Sequence, residues 1–471
     1  MKDPGEMSGK QNTSPKDEGC LHVGGVEPHG HVEVLSIHSA SESRQNNAQE
    51  YTGGLLEAIL DPQNLNKAYK RVKANKGSCG VDGMTVEDLL PHLKLHGQTL
   101  RQSILDGTYR PSPVRRVEIP KPDGGIRLLG IPTVQDRLIQ QAIAQVLTPI
   151  FDPHFSSSSY GFRPGRSAKQ AVKAAKGYIQ DGYTWVVDID LEKFFDRVNH
   201  SRLMEAIARK IKDKRVLTLI RKYLQAGVML LGVKTPTAEG TPQGGPLSPL
   251  LANIVLDDLD KELEKRGHRF CRYADDCNIY VKSQRAGERV MTSIKKYIEK
   301  VLKLKVNEKK SAVDKPSKRK FLGFSFYQKE GETGIFVHKK PVMKFVKRVR
   351  EITARSNGKG MEWRKVNLNQ CIRGWIDYFG IADMRNLAEK MDSWIRRRLR
   401  MCYWKQWKKT KARIKHLVQL GMGAHEAKIK ANTRKGYWRT SNSPILNTTL
   451  TSKYLKQQGF MSLTEAYLAV H

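Results

Sequence analysis

Cysteine is scarce in this sequence: six in 471 residues, at positions 20, 79, 271, 277, 371 and 402, with no C-x-x-C pair among them. Without thiols at ligand spacing, zinc ribbons and zinc-supported nuclease modules have no place to form, and the scattered thiols read as reduced cytosolic cysteines. Long apolar runs are also missing. No stretch approaches the roughly 20 consecutive apolar residues that a spanning helix needs, mean hydropathy is −0.55, and residues 1–50 hold no apolar core of signal-peptide type. Acid is in short supply as well: 47 Asp+Glu face 83 Lys+Arg, a formal net charge of +36 and a pI near 9.9. That balance is too basic for an ordinary metabolic enzyme and calls for a polyanionic partner. With 39% hydrophobic residues the chain can still build cores, for about two to four folding units of roughly 100–200 residues, so it is no disordered basic peptide.

The charge is unevenly placed. Residues 1–50 carry a net −4, are rich in Ser, Gly, Asn, Gln and His and lack hydrophobic periodicity, which predicts a disordered leader. Residues 331–471 carry a net +21. Within them Trp394 to Lys415 holds ten Lys/Arg, no acid and the aromatics Trp394, Tyr403, Trp404 and Trp407. Lys and Arg gain affinity for phosphate backbones by releasing counterions, and interleaved aromatics can stack on unpaired bases, so a structured nucleic acid is the expected partner. A solvated helix face with its aromatics in the core is the competing reading.

Periodicity predicts helices between Thr52 and Gly107, interrupted by a Gly80-Val81-Asp82-Gly83 turn, then a hairpin over Val114 to Arg127 turning at Asp123-Gly124-Gly125. Helices are expected over Thr133–Pro149, Ser167–Gln180, Asn199–Ala226, Pro249–Lys265 and Ala286–Leu302. The near-continuous apolar run Tyr183 to Asp190 predicts a buried central strand, Phe270 to Lys282 a second hairpin, and further strands fall near Leu304–Val306, Phe321–Phe326 and Ile335–His338. From Pro341 onward the pattern is helical and basic to about Lys415, followed by a mixed polar segment.

Three features carry chemistry. Asp190 ends the apolar strand, before Leu191-Glu192-Lys193-Phe194-Phe195-Asp196. Tyr273-Ala274-Asp275-Asp276 forms the tip of the second hairpin, where two adjacent carboxylates repel each other and are desolvated, a cost that a bound cation offsets. The economical explanation is a divalent-metal site: Mg²⁺ takes a few carboxylate oxygens plus water and phosphate, and two ions about 3.5–4 Å apart can serve a phosphoryl transfer. Between these two features, Thr241-Pro242-Gln243-Gly244-Gly245-Pro246-Leu247-Ser248-Pro249 leads into an apolar helix, with glycines that allow close backbone approach. Singly, each has a bland reading as a solvated turn, a loop or a strand-end cap; the order of all three is specific.

That order resembles the palm of reverse transcriptases, and from about residue 52 the chain is similar to bacterial group II intron-encoded reverse transcriptases and maturases. The resemblance extends to Ile119-Pro120-Lys121-Pro122-Asp123-Gly124-Gly125-Ile126-Arg127, Tyr160-Gly161-Phe162-Arg163-Pro164-Gly165-Arg166-Ser167, Asn307-Glu308-Lys309-Lys310-Ser311, Phe321-Leu322-Gly323-Phe324 and Ile372-Arg373-Gly374-Trp375-Ile376-Asp377-Tyr378-Phe379. It implies an α+β right-hand polymerase, with fingers, a palm built on an antiparallel sheet, a helical thumb and a basic C-terminal RNA/DNA-binding domain. The expected divisions are a leader at 1–50, an N-terminal extension at 51–110, fingers and palm at 111–335, thumb and maturase domain at 336–408, and the C-terminal domain at 409–471. No cysteine follows Cys402, so the expected form is one without the cysteine-paired endonuclease of many relatives; in this and in Ala431-Asn432-Thr433-Arg434-Lys435-Gly436 the sequence is similar to the short class whose introns insert beside transcription terminators.

The roles implied by the resemblance are as follows. Asp190, Asp275 and Asp276 are the catalytic, metal-binding carboxylates of a two-Mg²⁺ site in which Mn²⁺ can substitute, with the carbonyl of Leu191 as a further ligand. Asp188 competes with Asp190 from the same strand face, and the family's spacing of catalytic Asp to aromatic, matched by Phe195, favours Asp190. Phe195 is the expected sugar gate, with core packing as its other reading. Lys121 and Arg127 match the triphosphate clamp, Gln243 the residue facing the incoming nucleotide, and Lys310, with Lys309 as rival, a proton donor to pyrophosphate. Arg396, Arg397, Arg398, Arg400, Lys405, Lys408 and Lys409 are the expected nucleic-acid contacts. The implied partners are dNTPs, an RNA template with its DNA primer, the intron RNA and target DNA. No membrane is expected; the implied place is the bacterial cytoplasm, at the nucleoid during integration. The implied activity is RNA-directed DNA polymerisation, joined to splicing assistance and retrohoming. A maturase that only binds folded RNA is the rival from another class, and the three carboxylates argue against it because a pure binder gains nothing from their electrostatic cost.

Overall fold

The computed structural model describes residues 54–120, 125–230, 233–235, 239–241 and 244–471. The expected leader, Lys121 and Gln243 lie outside the described residues.

Three helices come first: α1 (Leu55–Ile59), α2 (Pro62–Ala74) and α3 (Leu89–Leu105). The Asp61 carboxylate caps α2 by accepting from the backbone N–H groups of Gln63 and Asn64, and Pro62 occupies the first helical position, where no N–H is needed. The first hairpin follows as predicted, β1 (Val114–Pro120) against β2 (Ile126–Ile131), and leads into α4 (Val134–Phe151). Next are α5 (Ala168–Gln180), begun by a Ser167/Gln170 capping box, then β3 (Trp185–Ile189) and a single turn, α6 (Phe194–Arg197).

The single helix expected over Asn199–Ala226 is two, α7 (His200–Ala208) and α8 (Lys214–Gln225). Asp213 makes the break: one carboxylate oxygen accepts from the N–H groups of Arg215 and Val216, capping α8, while the other accepts from the N–H of Leu56 on α1. Two short strands that the sequence did not announce, β4 (Val228–Leu230) and β5 (Val233–Thr235), extend the first sheet to the order β2-β1-β4-β5. Then come α9 (Ser248–Lys265), the second hairpin β6 (Arg269–Tyr273) and β7 (Asp276–Val281), and α10 (Gln284–Lys300).

The strand expected near Leu304–Val306 is only an isolated bridge between Val306 and Leu191; the strand lies farther on, as β8 (Ala312–Asp314). A two-stranded ribbon, β9 (Phe324–Lys329) with β10 (Glu332–Val337), starts three residues later than expected because Leu322 and Gly323, both left-handed, turn the chain between Phe321 and Phe324. Three long helices follow, α11 (Lys339–Ile352), α12 (Met361–Phe379) and α13 (Arg385–Gln406), then six short ones: α14 (Thr410–Gln419), α15 (Ala424–Ala431), α16 (Tyr437–Thr440), α17 (Pro444–Thr449), α18 (Ser452–Gln457) and α19 (Leu463–Leu468).

The central sheet has the order β6-β7-β3-β8, antiparallel throughout. Both of its faces are covered, which is why β3 reads as a continuous apolar run rather than an alternating one. Val187, Ile189, Phe270, Cys277, Ile279 and Val281 enter a core shared with the N-terminal helices and α9. Val186, Cys271 and Tyr280 point the other way, into a core with α5, the β9–β10 ribbon and α11 to α13. The last helices join this second core through Leu455, Phe460, Leu463 and Tyr467, and the Asp392 carboxylate of α13 caps α19 by accepting from the N–H groups of Leu463 and Thr464. The boundary expected at residue 408 therefore does not fall cleanly between separate cores. A small third core gathers Trp404, Trp407, Leu417, Ala427, Ala431, Leu446 and Leu450.

Candidate active site

Strand pairing brings the carboxylates together. β3 and β7 pair with Asp188 opposite Asn278 and Ile189 opposite Cys277. Asp190 and Asp276 are the residues next along from that last pair, and they are close enough for the charge of Asp190 to act on Asp276. Asp275 occupies the two-residue turn closed by the Tyr273–Asp276 pair, in which Ala274 is held at φ 56°, a left-handed conformation that alanine rarely adopts.

The turn is fastened from beneath. Arg272 has a fully buried side chain and forms an ion pair with Asp260 of α9, equally buried. Its Nε donates to Asp260 Oδ1 (2.7 Å), Nη2 to Asp260 Oδ2 (2.5 Å) and to Ser159 Oγ (2.7 Å), and Nη1 to Asn253 Oδ1 (3.0 Å) and to the carbonyl of Ala274 (2.9 Å). All five guanidinium N–H groups are used, one of them on the strained residue of the turn. Asn253 in turn donates to the carbonyl of Gly161 (2.9 Å). Gly161 lies so close under the hairpin that an added Cβ would stand 2.3 Å from the nitrogen of Ala274, so only glycine fits there.

Asp190 is held by its backbone. Its N–H donates to Ser311 Oγ (3.0 Å) and its carbonyl accepts from the N–H of Asn307 (2.8 Å), which ties the strand end to the 307–311 loop. The neighbouring ladder bond runs from the N–H of Glu192 to the carbonyl of Lys305, so the bonds of this bridge leave out the Leu191 carbonyl. Asp188 is engaged otherwise: Arg319 donates to its Oδ2 through Nε (2.9 Å) and Nη2 (2.6 Å), and Nη2 also reaches the carbonyl of Lys310 (2.6 Å).

Crowding shows in the proton affinities. Asp276 keeps an exposed side chain at the strand end, yet desolvation by the surrounding protein and the charges of Asp275, Asp188 and Asp190 raise its pKa to about 7, with Lys320 opposing the rise. Asp275 is raised by desolvation and by Asp190, against the pull of Arg127 and Arg272. Asp188 too is raised by desolvation, while Arg319 works the other way. Carboxylates left in this state gain from a cation.

A hard divalent ion fits this donor set. Mg²⁺ uses one or two protein carboxylates and completes its shell with water and phosphate oxygens. Among the described residues no three His, Cys, Asp or Glu side chains form a ready-made metal cage.

The other expected residues fall at differing distances from this chemistry. Arg127, exposed on β2, is near enough to act electrostatically on Asp275. Phe195 on α6 is half-buried, edge-on to Phe194 at 5.2 Å, and its carbonyl accepts from the N–H of Thr241 (2.6 Å), anchoring the start of the glycine-rich loop. That loop passes close over the first hairpin: a Cβ on Gly244 would meet the carbonyl oxygen of Gly130 at 2.7 Å. Lys309 and Lys310 are both exposed.

The basic stretch divides. Trp404 and Trp407 are core residues, 1% and 6% exposed, which leaves neither ring free for a base. Arg398 donates to Thr353 Oγ1 (2.5 Å) and to the Thr353 carbonyl (3.2 Å), and Arg400 to the Leu450 carbonyl (3.0 Å) and to Asn447. Arg397 stacks on Trp438 at 3.9 Å, and Lys405 lies 5.0 Å over Tyr437. Arg396 is half-buried, and Lys408 and Lys409 are exposed. Sequence reasoning passed over Arg272, Ser311 and Arg319; for Arg272 the available signal was a lone charge inside the apolar strand Phe270-Cys271-Arg272-Tyr273.

Comparison with known proteins identifies the family. Residues 119–326 match the reverse transcriptase (RNA-dependent DNA polymerase) family and residues 342–421 the group II intron maturase-specific domain. Protein YkfC of Escherichia coli (strain K12) is 36% identical over 299 residues, 55% of this chain and 78% of YkfC. The chain belongs to the group II intron reverse transcriptases and maturases. It thus falls in an enzyme class, the RNA-directed DNA polymerases. The group II intron-encoded protein LtrA of Lactococcus lactis subsp. cremoris is 40% identical over 229 residues, 47% of this chain but 37% of LtrA. A putative COX1/OXI3 intron 2 protein of Saccharomyces cerevisiae is 33% identical over 239 residues, 50% of this chain and 27% of its own. This group II intron reverse transcriptase thus spans well under half the length of either of those two relatives. No helix among its described residues is long and apolar enough to cross a membrane.

Proposed function

We propose that the chain extends a primer 3′-OH with deoxynucleoside triphosphates on an RNA template, by two-Mg²⁺ nucleotidyl transfer at Asp190, Asp275 and Asp276. The reading rests on one observation above the rest: β3 and β7 end side by side at the Ile189–Cys277 pair, with Asp190 and Asp276 the next residues on the two strands and Asp275 in the adjoining turn. In this account the central sheet is the palm, the β1–β2 hairpin belongs to the fingers, and α11 to α13 form the thumb.

Bound Mg²⁺, or Mn²⁺ in its place, would lower the pKa of the attacking hydroxyl and neutralise charge on the departing pyrophosphate. The protein's own residues do the remaining work. Asp190 and Asp275 are the direct ligands and Asp276 supports them, with the carbonyl of Leu191 available beside them. Arg127 and Lys121 hold the triphosphate. Gln243 faces the nucleotide, and Phe195 lies under its sugar and excludes a 2′-OH. Lys310 gives a proton to pyrophosphate; its carbonyl, fixed by Arg319, keeps the loop in place.

The maturase-specific segment, with its exposed Lys408 and Lys409, binds the intron RNA, assisting splicing, and binds target DNA during retrohoming in the bacterial cytoplasm. Primer extension on an RNA template with dNTPs and Mg²⁺ tests the catalytic reading: wild type extends and Asp275→Ala does not. Equal extension by both, or by neither, refutes it. Splicing of the intron RNA at low Mg²⁺ should survive Asp275→Ala, since binding does not use that carboxylate. Phe195→Val should raise ribonucleotide incorporation, and unchanged sugar discrimination would return Phe195 to a packing role.

A further inference from the structure

The β6–β7 hairpin has a second charged end. Tyr273 and Asp276 close it at the carboxylate turn; four residues away along the strand, about 14 Å at strand rise, Arg269 pairs with Tyr280, and Lys282 follows. A groove of about 600 Å³ opens there, walled by the end of α9, the far end of the hairpin and α10. Arg266, His268, Arg269, Lys282 and Arg289 line it with Tyr183, and no acidic side chain does.

These cations are poorly compensated from within. Arg266 is paired with Glu262 and reaches Ser293 Oγ, and Lys282 lies 5.4 Å over the ring of Tyr183. Arg269 and Arg289 have no ion-pair partner among the described residues. The convergence is felt by His268, whose pKa is lowered by desolvation and then by Arg266. Like charges gathered around a concavity are stabilised by an anion within it, and guanidinium forks suit phosphate oxygens better than ammonium groups do.

We propose that this groove is an accessory binding site for a phosphodiester chain, separate from the carboxylate site and at the opposite end of the same hairpin. Five basic side chains from α9, the hairpin and α10 around one opening suit a chain of phosphates better than one small anion, and the Tyr183 ring adds a surface on which an unpaired base can stack. The site rests on the reading of the chain as a nucleic-acid enzyme. Its occupant is single-stranded RNA or single-stranded DNA, which share the chemistry.

The test uses the full chain, with unlabelled template–primer duplex present to fill the polymerase cleft, and fluorescein-labelled 12-mer homopolymers of RNA and of DNA read by anisotropy over a salt series. The triple variant Arg269→Gln, Lys282→Gln, Arg289→Gln should bind the 12-mers about tenfold more weakly. Its slope of log K against log salt should be shallower by about 2, since each phosphate contact on a single strand contributes roughly 0.7. Loss with RNA alone identifies RNA as the occupant, and loss with both strands means that either is accepted. Arg289→Glu, which leaves the hairpin untouched, should move the slope in the same direction. Unchanged affinity and slope in both variants would overturn the proposal. Primer extension from preformed duplex should be equal in wild type and triple variant; that readout reports the carboxylate site, so the two readings fail separately.

Discussion

Two regions concentrate charge of one sign, and the fold treats them in opposite ways. At the ends of β3 and β7 the carboxylates of Asp190, Asp275 and Asp276 are crowded together, and proton affinities rise to about 7 at Asp276. Along α13 the arginines are dispersed into the fold: Arg398 serves the end of α11 through Thr353, Arg400 reaches Leu450 and Asn447, and Arg397 covers Trp438. Charge density in a sequence is therefore no measure of binding. What matters is whether the fold satisfies the charges itself; at the strand ends it does not, and along α13 it largely does.

The strongest way to break this comparison is to remove the support under the carboxylates. Arg272→Met leaves Asp260 buried and unpaired, and breaking such a pair costs roughly 3–5 kcal/mol. A lower unfolding midpoint and lost primer extension are expected, with partial recovery of both in the double variant Arg272→Met, Asp260→Leu only if packing alone holds the turn. Recovered stability without recovered activity would show that the guanidinium's bond to the Ala274 carbonyl is what the site needs.

A smaller effect separates the two kinds of basic residue. Arg398→Ala should lower stability by about 1–3 kcal/mol, because buried oxygens at Thr353 lose their donor. Lys408→Ala with Lys409→Ala should leave the unfolding midpoint unchanged and reduce the salt slope of nucleic-acid binding by about 1–2. A stability loss from the lysines, or none from Arg398, would erase the distinction.

The smallest effect is electrostatic, because Asp276 is exposed and solvent screens its charge. The folded-state pKa of Asp276 is raised, so the native chain holds a proton there that the unfolded chain has released; in EDTA this favours folding at low pH and is lost as pH rises from the ordinary aspartate range to about 7. Wild type should therefore lose stability over that window relative to Asp276→Asn, and Mg²⁺ should shrink the difference. Calorimetry of both proteins across pH, with and without the ion, measures it.

Much of this was legible in the sequence. Apolar continuity marked β3, and the turn residues and alternation marked both hairpins, so the three carboxylates could be placed at strand ends without coordinates. The break at Asp213 was hidden because it depends on a side chain that caps its own helix and accepts from Leu56, far away in sequence. β8 escaped because three residues show no period. The support at Arg272 draws on Ser159, Asn253 and Asp260, contacts that only tertiary structure assembles. Trp404 and Trp407 bear out the reading that put the aromatics in a core, and coordinates were needed to decide it: an aromatic among lysines has the same spelling whether its ring faces a base or a core.

The central claim is that Asp190, and not its neighbour Asp188, joins Asp275 in the reaction. Single-turnover primer extension by Asp190→Asn and Asp188→Asn, at saturating dNTP and Mg²⁺, tests it most directly. The account predicts a loss of about a thousandfold or more for Asp190→Asn and no more than about tenfold for Asp188→Asn, whose carboxylate is held by Arg319. The reverse order, or equal rates in the two variants, would contradict it.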